Sequence, residues 1–379
     1  MNLASSSKDK APRLDSGLRK RALIVKLGQI GDVIMAIPAV SALHAQGFEI
    51  DWLCGRAVRP LLECYSWIRV IPVDDVALLC GRPLDRLLAI ARLWASVLAT
   101  KYDLCATLYY DRRFHLLTLP IRSHQRVVLS RKSRATTLLP GRRHTDEYVR
   151  VLLQTEDSVR EESCPLVRPD RLPAFSWPTE TSSRRIAIVP GGTKNVLGEQ
   201  MLRRWPIDNY VLLGHRMVDL GWEVVLLGGP DDAWVRPHFQ HLAMTDLVGK
   251  LSLPEVVRAC DGCHAVVCHD TGPLHLAGLS SASLIGIFGP TDPATFLPRR
   301  PFSVAIWGGQ GFACRPCYDG QNFAPCQFNG CMHQVTPELV LRELDFLLRD
   351  RDRGVTRPWG VVFPEEGLPP LHSISPAKM

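Results

Sequence analysis

The segment of residues 266–293 most constrains this chain, because it places a strand, a polar turn, a small-residue helix and a second strand in direct succession. Residues 265–268 form a short apolar run, and His269, Asp270, Thr271 and Gly272 follow it. The next apolar run is Ser283–Phe288, which ends in a turn rich in glycine and proline. Such a pattern is typical of the ligand-binding edge of an open parallel sheet, where helix N–H groups favour an anion. The segment therefore predicts a site for a phosphate-bearing ligand.

The polar residues of this turn also have a purely structural interpretation. Asp270 or Thr271 can cap the helix through a side-chain oxygen, which is their ordinary role before an apolar run. His275 falls in the predicted first helical turn, where a structural sequence gains more from an acidic residue than from an imidazole. An imidazole there can donate to a phosphate oxygen, so helix capping and phosphate binding both stay open for this turn.

The length of the chain predicts more than one domain, because 379 residues exceed what one hydrophobic core usually supports. Apolar residues make up 46% and charged residues 22%, as in ordinary globular proteins, and no apolar run reaches the about 18 residues of a membrane span. Residues 1–20 are polar and basic without an apolar core, so we expect a disordered tail and no secretory signal. The expected compartment is the cytoplasm.

Strand and helix patterns alternate along the chain, which predicts α/β domains with parallel, doubly wound sheets. A stretch rich in proline, serine and threonine, residues 166–184, predicts a linker between an N-terminal domain of residues 21–165 and a C-terminal domain of residues 185–350. Residues 351–379 are expected to be a disordered tail. The predicted strands are 22–27, 48–53, 69–73, 102–109, 125–129, 185–189, 223–227, 265–268 and 283–288, and the predicted helices include 33–46, 84–100 and 336–349.

The net charge of +7 is unevenly distributed, since residues 112–143 contain nine Lys or Arg residues and no acidic residue. A solvated loop face is one interpretation of such a run. The missing carboxylates favour an anionic partner, either a phosphorylated glycolipid or the inner face of an anionic membrane. Nucleic acid ranks last, because no nucleic-acid module accompanies the charge. The candidate acceptor-binding residues of this stretch are Arg112, Arg113, Arg131 and Lys132.

Three separated segments match one known pattern. They are ALIVKLGQIGDVIMAIPAVSAL, then IAIVPGGTKNVLGEQMLRRWPIDNY followed by EVVLLGGPDD, and finally HDTGPLHLAG through GPTDP. In this order and spacing the chain resembles glycosyltransferase family 9, the ADP-heptose:lipopolysaccharide heptosyltransferase family. The resemblance spreads over about residues 20 to 345. It implies a GT-B fold, in which two Rossmann-like domains face each other across a cleft, the N-terminal one for the acceptor and the C-terminal one for the nucleotide sugar.

The resemblance gives Asp32 the role of general base, which takes a proton from the acceptor hydroxyl as that oxygen attacks the anomeric carbon. A carboxylate facing a cleft suits this work if its pKa keeps it ionised at neutral pH. The alternative is that Asp32 only caps the following helix. Gly28 and Gly31 would let backbone and substrate approach closely, so Gly31 is also a candidate acceptor-binding residue.

The same resemblance implies a donor site in the C-terminal domain. Arg203 stands where the family commonly has a phosphate-binding lysine, and arginine keeps that charge. The reaction would be a direct displacement with inversion at the anomeric carbon, and no catalytic metal or other cofactor is required by it. The implied donor-binding residues are Gly191, Gly192, Thr193, Arg203, Asp270, Thr271, Gly272 and His275.

A cysteine-rich loop, residues 308–333, has the spacing C-x2-C-x8-C-x4-C, which could supply four metal ligands. Its members are Cys314, Cys317, Cys326 and Cys331. A structural zinc or an iron–sulfur cluster is one interpretation, and packing or redox-labile thiols are the other. The eight remaining cysteines are scattered among apolar residues, as buried thiols usually are.

The leading hypothesis is therefore a heptosyltransferase that uses an ADP-sugar donor and a phosphorylated lipopolysaccharide-core-type acceptor, with peripheral contact to the inner membrane face. A second hypothesis is a GT-B transferase that uses another nucleotide sugar for a capsule, a glycoprotein or a natural product. A third is a nucleotide-binding Rossmann protein without transferase activity. A dehydrogenase is disfavoured, because the first turn reads Gly28-x-x-Gly31-Asp32 and lacks the G-x-G-x-x-G spacing.

Overall fold

The computed structural model describes residues 20–155, 164–178, 184–195, 198–318 and 322–364. Within these residues the first sheet has five parallel strands in the order β3-β2-β1-β4-β5. The strands are β1 (Lys20–Val25), β2 (Phe48–Gly55), β3 (Ile68–Val73), β4 (Tyr102–Thr107) and β5 (Ser123–Val128). The helices that accompany them are α1 (Ile30–Ala45), α2 (Arg59–Leu62), α3 (Asp75–Cys80), α4 (Pro83–Val97), α5 (Arg112–Thr118) and α6 (His144–Leu153).

The second sheet has seven parallel strands within the described residues, in the order β10-β9-β6-β11-β12-β13-β14. The strands of this half are β6 (Arg185–Val189), β9 (Glu223–Leu226), β10 (Met244–Asp246), β11 (Ala265–His269), β12 (Ser283–Phe288), β13 (Ser303–Trp307) and β14 (Gly360–Val362), with a short antiparallel pair of β7 (Lys194–Asn195) and β8 (Gly198–Glu199). The helices are α7 (Ile207–Asp219), α8 (Leu253–Asp261), α9 (Gly272–Gly278), α10 (Pro293–Phe296), α11 (Gly330–His333) and α12 (Pro337–Asp352).

The central strands of both sheets are buried on their two faces, as continuous apolar strands require. In β1, residues Ala22, Leu23, Ile24 and Val25 are completely buried, and β11 is buried along its whole length. The alternating side chains of each central strand enter separate apolar clusters above and below the sheet. The predicted architecture of two parallel α/β sheets is thus confirmed.

The strand orders fix where a ligand can enter. The chain reverses its direction of winding between β1 and β4 in the first sheet, and between β6 and β11 in the second. Open α/β sheets bind ligands in the crevice outside the carboxyl ends of the strands at such a switch point. The segments that follow Val25, Thr107, Val189 and His269 are therefore the ones placed to form sites.

The two sheets approach each other through α1 and α9. A Cβ built on Gly31 of α1 would lie 2.6 Å from the His275 Cδ2 atom of α9, and one built on Gly272 would lie 3.2 Å from the Ile30 Cβ atom. An apolar cluster extends this contact with Ile34, Leu61, Val257, Leu276 and Leu279. Glycine on each helix thus lets the first turns of α1 and α9 pack closely.

Some sequence predictions differ from the structure. Helix α1 begins at Ile30, three residues earlier than expected, which brings Asp32 into its first turn. The prediction of a disordered tail from residue 351 is wrong up to residue 364, because α12 continues to Asp352 and β14 pairs with β13. Residues 166–178 of the predicted linker contain no helix or strand, whereas residues 1–19, 179–183 and 365–379 lie outside the described part. None of the described helices is long and apolar enough to cross a membrane.

Candidate functional site

Asp32 lies at the carboxyl edge of the first sheet and is paired with a buried cation. The Lys26 Nζ atom, from the residue that follows β1, donates to Asp32 Oδ2 at 2.8 Å. The residue before α1 is Gln29, and it makes no side-chain cap. The alternative role of Asp32 as the capping residue is therefore wrong, because the helix starts two residues before it and its carboxylate contacts Lys26.

The pair keeps both side chains charged. Lys26 is 3% exposed, donates to the Leu108 carbonyl at 3.3 Å and lies 4.4 Å from the ring centroid of Tyr109. Burial opposes the charge, but the Asp32 carboxylate with Tyr148 and Tyr109 raises the pKa of Lys26 well above its usual value. Burial likewise opposes the charge on Asp32, but Lys26 lowers the pKa of that carboxyl below its usual range. Asp32 is thus ionised at neutral pH.

Tyr109 fixes the loop between β1 and α1. Its hydroxyl oxygen accepts from the backbone N–H of Leu27 at 2.8 Å and of Gly28 at 2.9 Å. These bonds satisfy two backbone donors of a turn that has no side-chain cap. Two side-chain hydrogen bonds thus fix the loop that leads into the first turn of α1, which carries Asp32.

Two histidines face the same carboxylate from different elements. His144, at the start of α6, contributes to the lowered pKa of Asp32 and packs edge-on against Phe296 of α10 with ring centroids 4.8 Å apart. His275 of α9 also contributes, and burial lowers its own pKa to about 4 although Asp270 and Asp32 act in the opposite direction. The imidazole of His275 is thus neutral at pH 7 and packs on Gly31.

Asp232, in the segment that follows β9, holds the glycine turn after β6. Asp232 Oδ1 accepts from the Gly192 N–H at 2.9 Å, and its Oδ2 accepts from the Gly229 N–H at 2.7 Å. A Cβ at Gly191 would lie 2.2 Å from the Asp232 carboxylate, and Gly192 has a φ of +85°. Glycine is required at both positions, for space at the first and for the left-handed backbone at the second.

Asp270 and Arg203 come together at the carboxyl end of β11. Asp270 is 2% exposed, accepts from the Thr291 hydroxyl at 2.7 Å and lies 3.6 Å from the Arg203 Nη1 atom. Thr271 donates to the His269 carbonyl, and α9 has no side-chain cap. The capping interpretation of both residues is wrong, because their side chains bond elsewhere.

Aromatic residues of the cysteine-rich loop and of α10 surround Arg203. The guanidinium carbon lies 5.5 Å from the Tyr318 ring centroid and 5.2 Å from that of Phe323, and 6.0 Å from Phe296. The Arg203 Nε atom is buried without a hydrogen-bond partner in the described structure. A buried guanidinium donor without an acceptor is costly, so this position favours an anionic ligand.

A second arginine, Arg204, lies beside the glycine turn. It donates to the Thr193 hydroxyl at 2.7 Å, pairs with Glu199 and stacks 4.2 Å from the Trp234 ring centroid. Its Nε atom is also buried without a partner among the described residues. The segment between β8 and α7 therefore brings two consecutive arginines to the second sheet, Arg203 beside Asp270 after β11 and Arg204 beside Thr193 after β6.

The basic stretch of residues 112–143 divides into two kinds of side chain. Arg126 donates to the carbonyls of Thr118 at 2.9 Å and Leu119 at 3.3 Å, and Arg143 is 3% exposed and donates to the Cys164 carbonyl at 2.6 Å. The expectation that the whole run faces an anionic partner is wrong for these residues, because backbone carbonyls of the protein itself accept from them.

The four predicted acceptor-binding cations are exposed at the carboxyl edge of the first sheet. Arg112 and Arg113 begin α5 after β4, while Arg131 and Lys132 follow β5. Arg113 pairs with Asp111 at 2.6 Å, and Arg131 lies 5.0 Å from the Tyr110 ring centroid. These side chains and Asp32 thus occupy the same edge of the sheet.

The cysteine-rich loop holds four free thiols, those of Cys314, Cys317, Cys326 and Cys331. The Cys317 N–H donates to the Pro290 carbonyl at 3.0 Å, and burial with the neighbouring thiols raises the pKa of Cys331 to about 12. Within the described residues, no group of three or more His, Cys, Asp or Glu side chains is placed to hold a metal ion. Residues 319–321 of this loop lie outside the description.

Sequence reasoning missed Lys26, His144, Arg204 and Asp232. Lys26 had a signal, since a single cation closes an otherwise apolar strand and cannot be buried without a partner. Asp232 also had one, as an acid just after a Gly-Gly-Pro turn. His144 had none, because its contact with Phe296 joins segments that are 152 residues apart and depends on the packing of the two sheets.

Comparisons with known proteins agree with this arrangement. Lipooligosaccharide heptosyltransferase 2 of Haemophilus influenzae is 27% identical over 153 residues, which cover 38% of this chain and 43% of that relative's length. Lipooligosaccharide heptosyltransferase 2 of Haemophilus ducreyi is 23% identical over 360 residues, which cover 86% of this chain and 99% of the relative. The match thus spans less than half of the first relative and nearly all of the second.

A solved structure shows the fold. The ADP-heptose lipopolysaccharide heptosyltransferase II of E. coli superposes with a TM-score of 0.67 at 19% identity, covering 88% of this chain and 99% of that structure. The chain accordingly has the GT-B fold. The model of glycosyltransferase family 9 (heptosyltransferase) matches residues 90–326, more than half of the sequence. The chain therefore belongs to glycosyltransferase family 9.

Proposed function

We propose that this protein is an inverting glycosyltransferase that moves a heptose from an ADP-sugar to a hydroxyl of a lipopolysaccharide-core-type glycolipid. One observation carries the proposal. An ionised carboxylate, Asp32, is held by a buried lysine at 2.8 Å on one sheet, and the helix that bears it packs directly on the helix of the other sheet that bears His275. This packing supports a reaction in which a base on one sheet faces anion-binding groups on the other.

Asp32 would act as the general base. Its lowered pKa keeps it ready to accept a proton from the acceptor hydroxyl while that oxygen forms a bond to the anomeric carbon of the donor sugar. The bond from the anomeric carbon to the nucleotide diphosphate breaks on the opposite side, so the configuration inverts. The electron pair leaves with the diphosphate, and the proton stays on Asp32 until solvent removes it.

Arg203 and Arg204 would meet the charge on the leaving diphosphate. Both guanidinium groups carry a buried Nε donor without a partner in the described residues, and both lie at the carboxyl edge of the second sheet. Donors fixed before the reaction stabilise developing negative charge without reorganisation. The backbone N–H groups near Gly191, Gly192 and Gly272 and the hydroxyls of Thr193 and Thr271 belong to the same edge. We assign this edge to the donor.

The acceptor would bind along the first sheet. The exposed guanidinium groups of Arg112, Arg113 and Arg131, together with Lys132, lie at the edge that also carries Asp32 and Gly31. Arginine pairs with phosphate through two parallel hydrogen bonds, so phosphates on a glycolipid core would be recognised there. The family membership supports a heptose donor and a lipopolysaccharide acceptor, and the name of the E. coli structure supports the ADP group.

This scheme uses no catalytic metal or other cofactor. A structural zinc is a separate prediction, because four thiols are a donor set that zinc accepts. Zinc in the 308–333 loop would fix the segment that carries Tyr318 and Phe323 beside Arg203. Metal analysis of the purified protein tests it. Bound zinc that is lost on replacing Cys314 and Cys317 with Ser supports the site, and a metal-free protein with an ordered loop contradicts it.

Calorimetric titration with ADP, UDP, GDP and NAD, followed by a transfer assay, tests the proposed function. We expect selective binding of ADP and transfer of heptose from ADP-heptose to a core acceptor that lacks it. Preference for UDP or GDP would instead identify a GT-B transferase with another donor. Binding of NAD alone, without transfer, would contradict the transferase assignment and favour a nucleotide-binding Rossmann protein.

A further inference from the structure

Helix α4 has two apolar faces, although only one of them packs on the protein. Ala89, Leu93 and Val97 repeat at intervals of four residues and are buried under the first sheet. On the opposite side, Leu84 is 75% exposed, Leu87 is 62% exposed and Leu88 is 55% exposed. Single exposed leucines are common. Three within five residues of one helix form an apolar patch, and such patches mark sites where a protein or membrane binds.

Exposed leucines also occur on α5 and just after it. The Trp94 indole of α4 donates to the Leu117 carbonyl of α5 at 2.9 Å, so the two helices are neighbours. Leu116 is 64% exposed and Leu119 is 62% exposed. We call the five leucines Leu84, Leu87, Leu88, Leu116 and Leu119 the α4–α5 surface.

Arginines flank this surface. Arg82 and Arg86 are exposed at the start of α4, and Arg112 and Arg113 are exposed at the start of α5. Two carboxylates accompany these arginines, those of Asp85 and Asp111, and the Asp111 carboxylate is already paired with Arg113. The charge beside the apolar patch is thus positive, which is the combination of side chains that binds an anionic lipid surface.

We propose that the α4–α5 surface docks this protein on an anionic phospholipid bilayer, with the leucines entering the acyl boundary and the arginines contacting lipid phosphates. The proposal rests on the proposed function only for its biological purpose, since docking itself needs neither donor nor acceptor. It differs from binding of the acceptor's own phosphates because the exposed leucines supply an apolar contact with lipid.

The position of the surface suits a lipid-linked acceptor. Phe114 of α5 stacks on Tyr109 with ring centroids 3.9 Å apart, and the Tyr109 hydroxyl holds the Leu27 and Gly28 amides that precede α1. One layer of side chains therefore separates the docking helix from the loop that leads to Asp32. A docked protein would present its acceptor edge to molecules anchored in the same bilayer.

Vesicle flotation of the full chain tests this proposal. We expect the protein to float with vesicles of phosphatidylcholine and phosphatidylglycerol but not with pure phosphatidylcholine, and less so as salt is raised. The double variant Leu84→Glu/Leu88→Glu should lower the bound fraction about tenfold, because carboxylates oppose both contacts. The matched control is Leu212→Glu/Leu220→Glu, which changes two exposed leucines of the other domain, one in α7 and one just after it, and should bind as the wild type does.

Three outcomes would overturn the docking surface. They are no flotation of the wild type, equal flotation of the α4 variant and its control, and a wild-type dimer in sedimentation without lipid that the α4 variant loses. The last result would identify the surface as a protein interface. Transfer to a water-soluble acceptor should be the same in the α4 variant and the wild type. Absence of transfer by both would contradict the proposed function while leaving the flotation result to decide on docking.

Discussion

Gly31 and His275 are in direct contact across the two sheets, since a Cβ at residue 31 would lie 2.6 Å from the imidazole Cδ2 and 2.9 Å from its Nε2. The first turn of α1, which carries Asp32, is therefore placed against α9 by the absence of a side chain. The close approach of these two residues brings the first turn of α1, with Asp32, against the first turn of α9 at the carboxyl edge of the second sheet.

Replacing Gly31 with Ala should push α1 away from α9. Overpacking of this kind costs about 1–3 kcal/mol. We expect lower thermal stability together with lower kcat in the transfer assay. Gly28→Ala is the matched control, because this glycine lies in the loop just before α1 and no atom lies within 4 Å of a Cβ built on it. Equal losses of stability and kcat in the two variants would show that the contact with His275 is not the reason why residue 31 must be glycine.

Replacing Asp32 with Asn should remove the base while keeping the shape of the side chain. Loss of general base catalysis lowers kcat by about 10²–10⁴-fold. Affinity for ADP, measured by calorimetry, should stay within about tenfold, because the carboxylate acts on the barrier and not on the donor. Turnover equal to that of the wild type would exclude Asp32 as the base.

Replacing Lys26 with Met should move the acidic limb of the pH profile of kcat/KM to higher pH. Lys26 lowers the pKa of Asp32 against the effect of burial, so its removal raises the pH below which the base is protonated. Breaking a buried pair also costs about 3–5 kcal/mol, so folding is checked by thermal unfolding. Lys26→Arg keeps the charge and should keep the profile. If the acidic limb of the Lys26→Met profile did not shift, the ion pair of Lys26 with Asp32 would not set the pH dependence of catalysis.

The turns at the carboxyl edges of the two sheets could be predicted from the sequence. An apolar strand followed by glycine and polar residues is typical of such a turn. The turn at residues 269–272 and the turn at residues 191–193 therefore lie where the pattern placed them. The family resemblance added Asp32 and Arg203, which composition alone does not distinguish from capping or surface residues. Their roles stay predictions until the variants are measured.

The remaining features depend on tertiary contacts that no local pattern encodes. Asp232 holds Gly192 from 40 residues away, and His144 meets Phe296 only because the two sheets pack together. Strand β14 was missed because three residues, Gly360–Val362, are too short to stand out in a proline-rich tail and gain their hydrogen bonds from β13. The start of α1 was placed late because its first turn has no side-chain cap to mark it.

Replacing Arg203 with Ala should weaken binding of ADP. Hydrogen bonds to charged groups contribute about 1.5–3 kcal/mol, so we expect an affinity loss of about tenfold to a hundredfold in calorimetry. Arg349→Ala, a surface arginine of α12 paired with Asp345, is the control and should bind ADP normally. Unchanged affinity in Arg203→Ala would remove this side chain from the donor site and leave its pairing with Asp270 as a structural contact.

His275 should make the folded state sensitive to acid. Burial lowers its pKa to about 4, whereas an unfolded histidine titrates near 6.5, so between these values the unfolded chain binds one more proton. The free energy of unfolding should therefore fall as the pH drops from about 6.5 to about 4, by about 1.4 kcal/mol per pH unit for this group. Urea unfolding across this range should show a smaller slope for His275→Asn than for the wild type. His215→Asn, at an exposed position of α7, should keep the wild-type slope, and equal slopes for all three proteins would show that His275 does not carry the acid sensitivity.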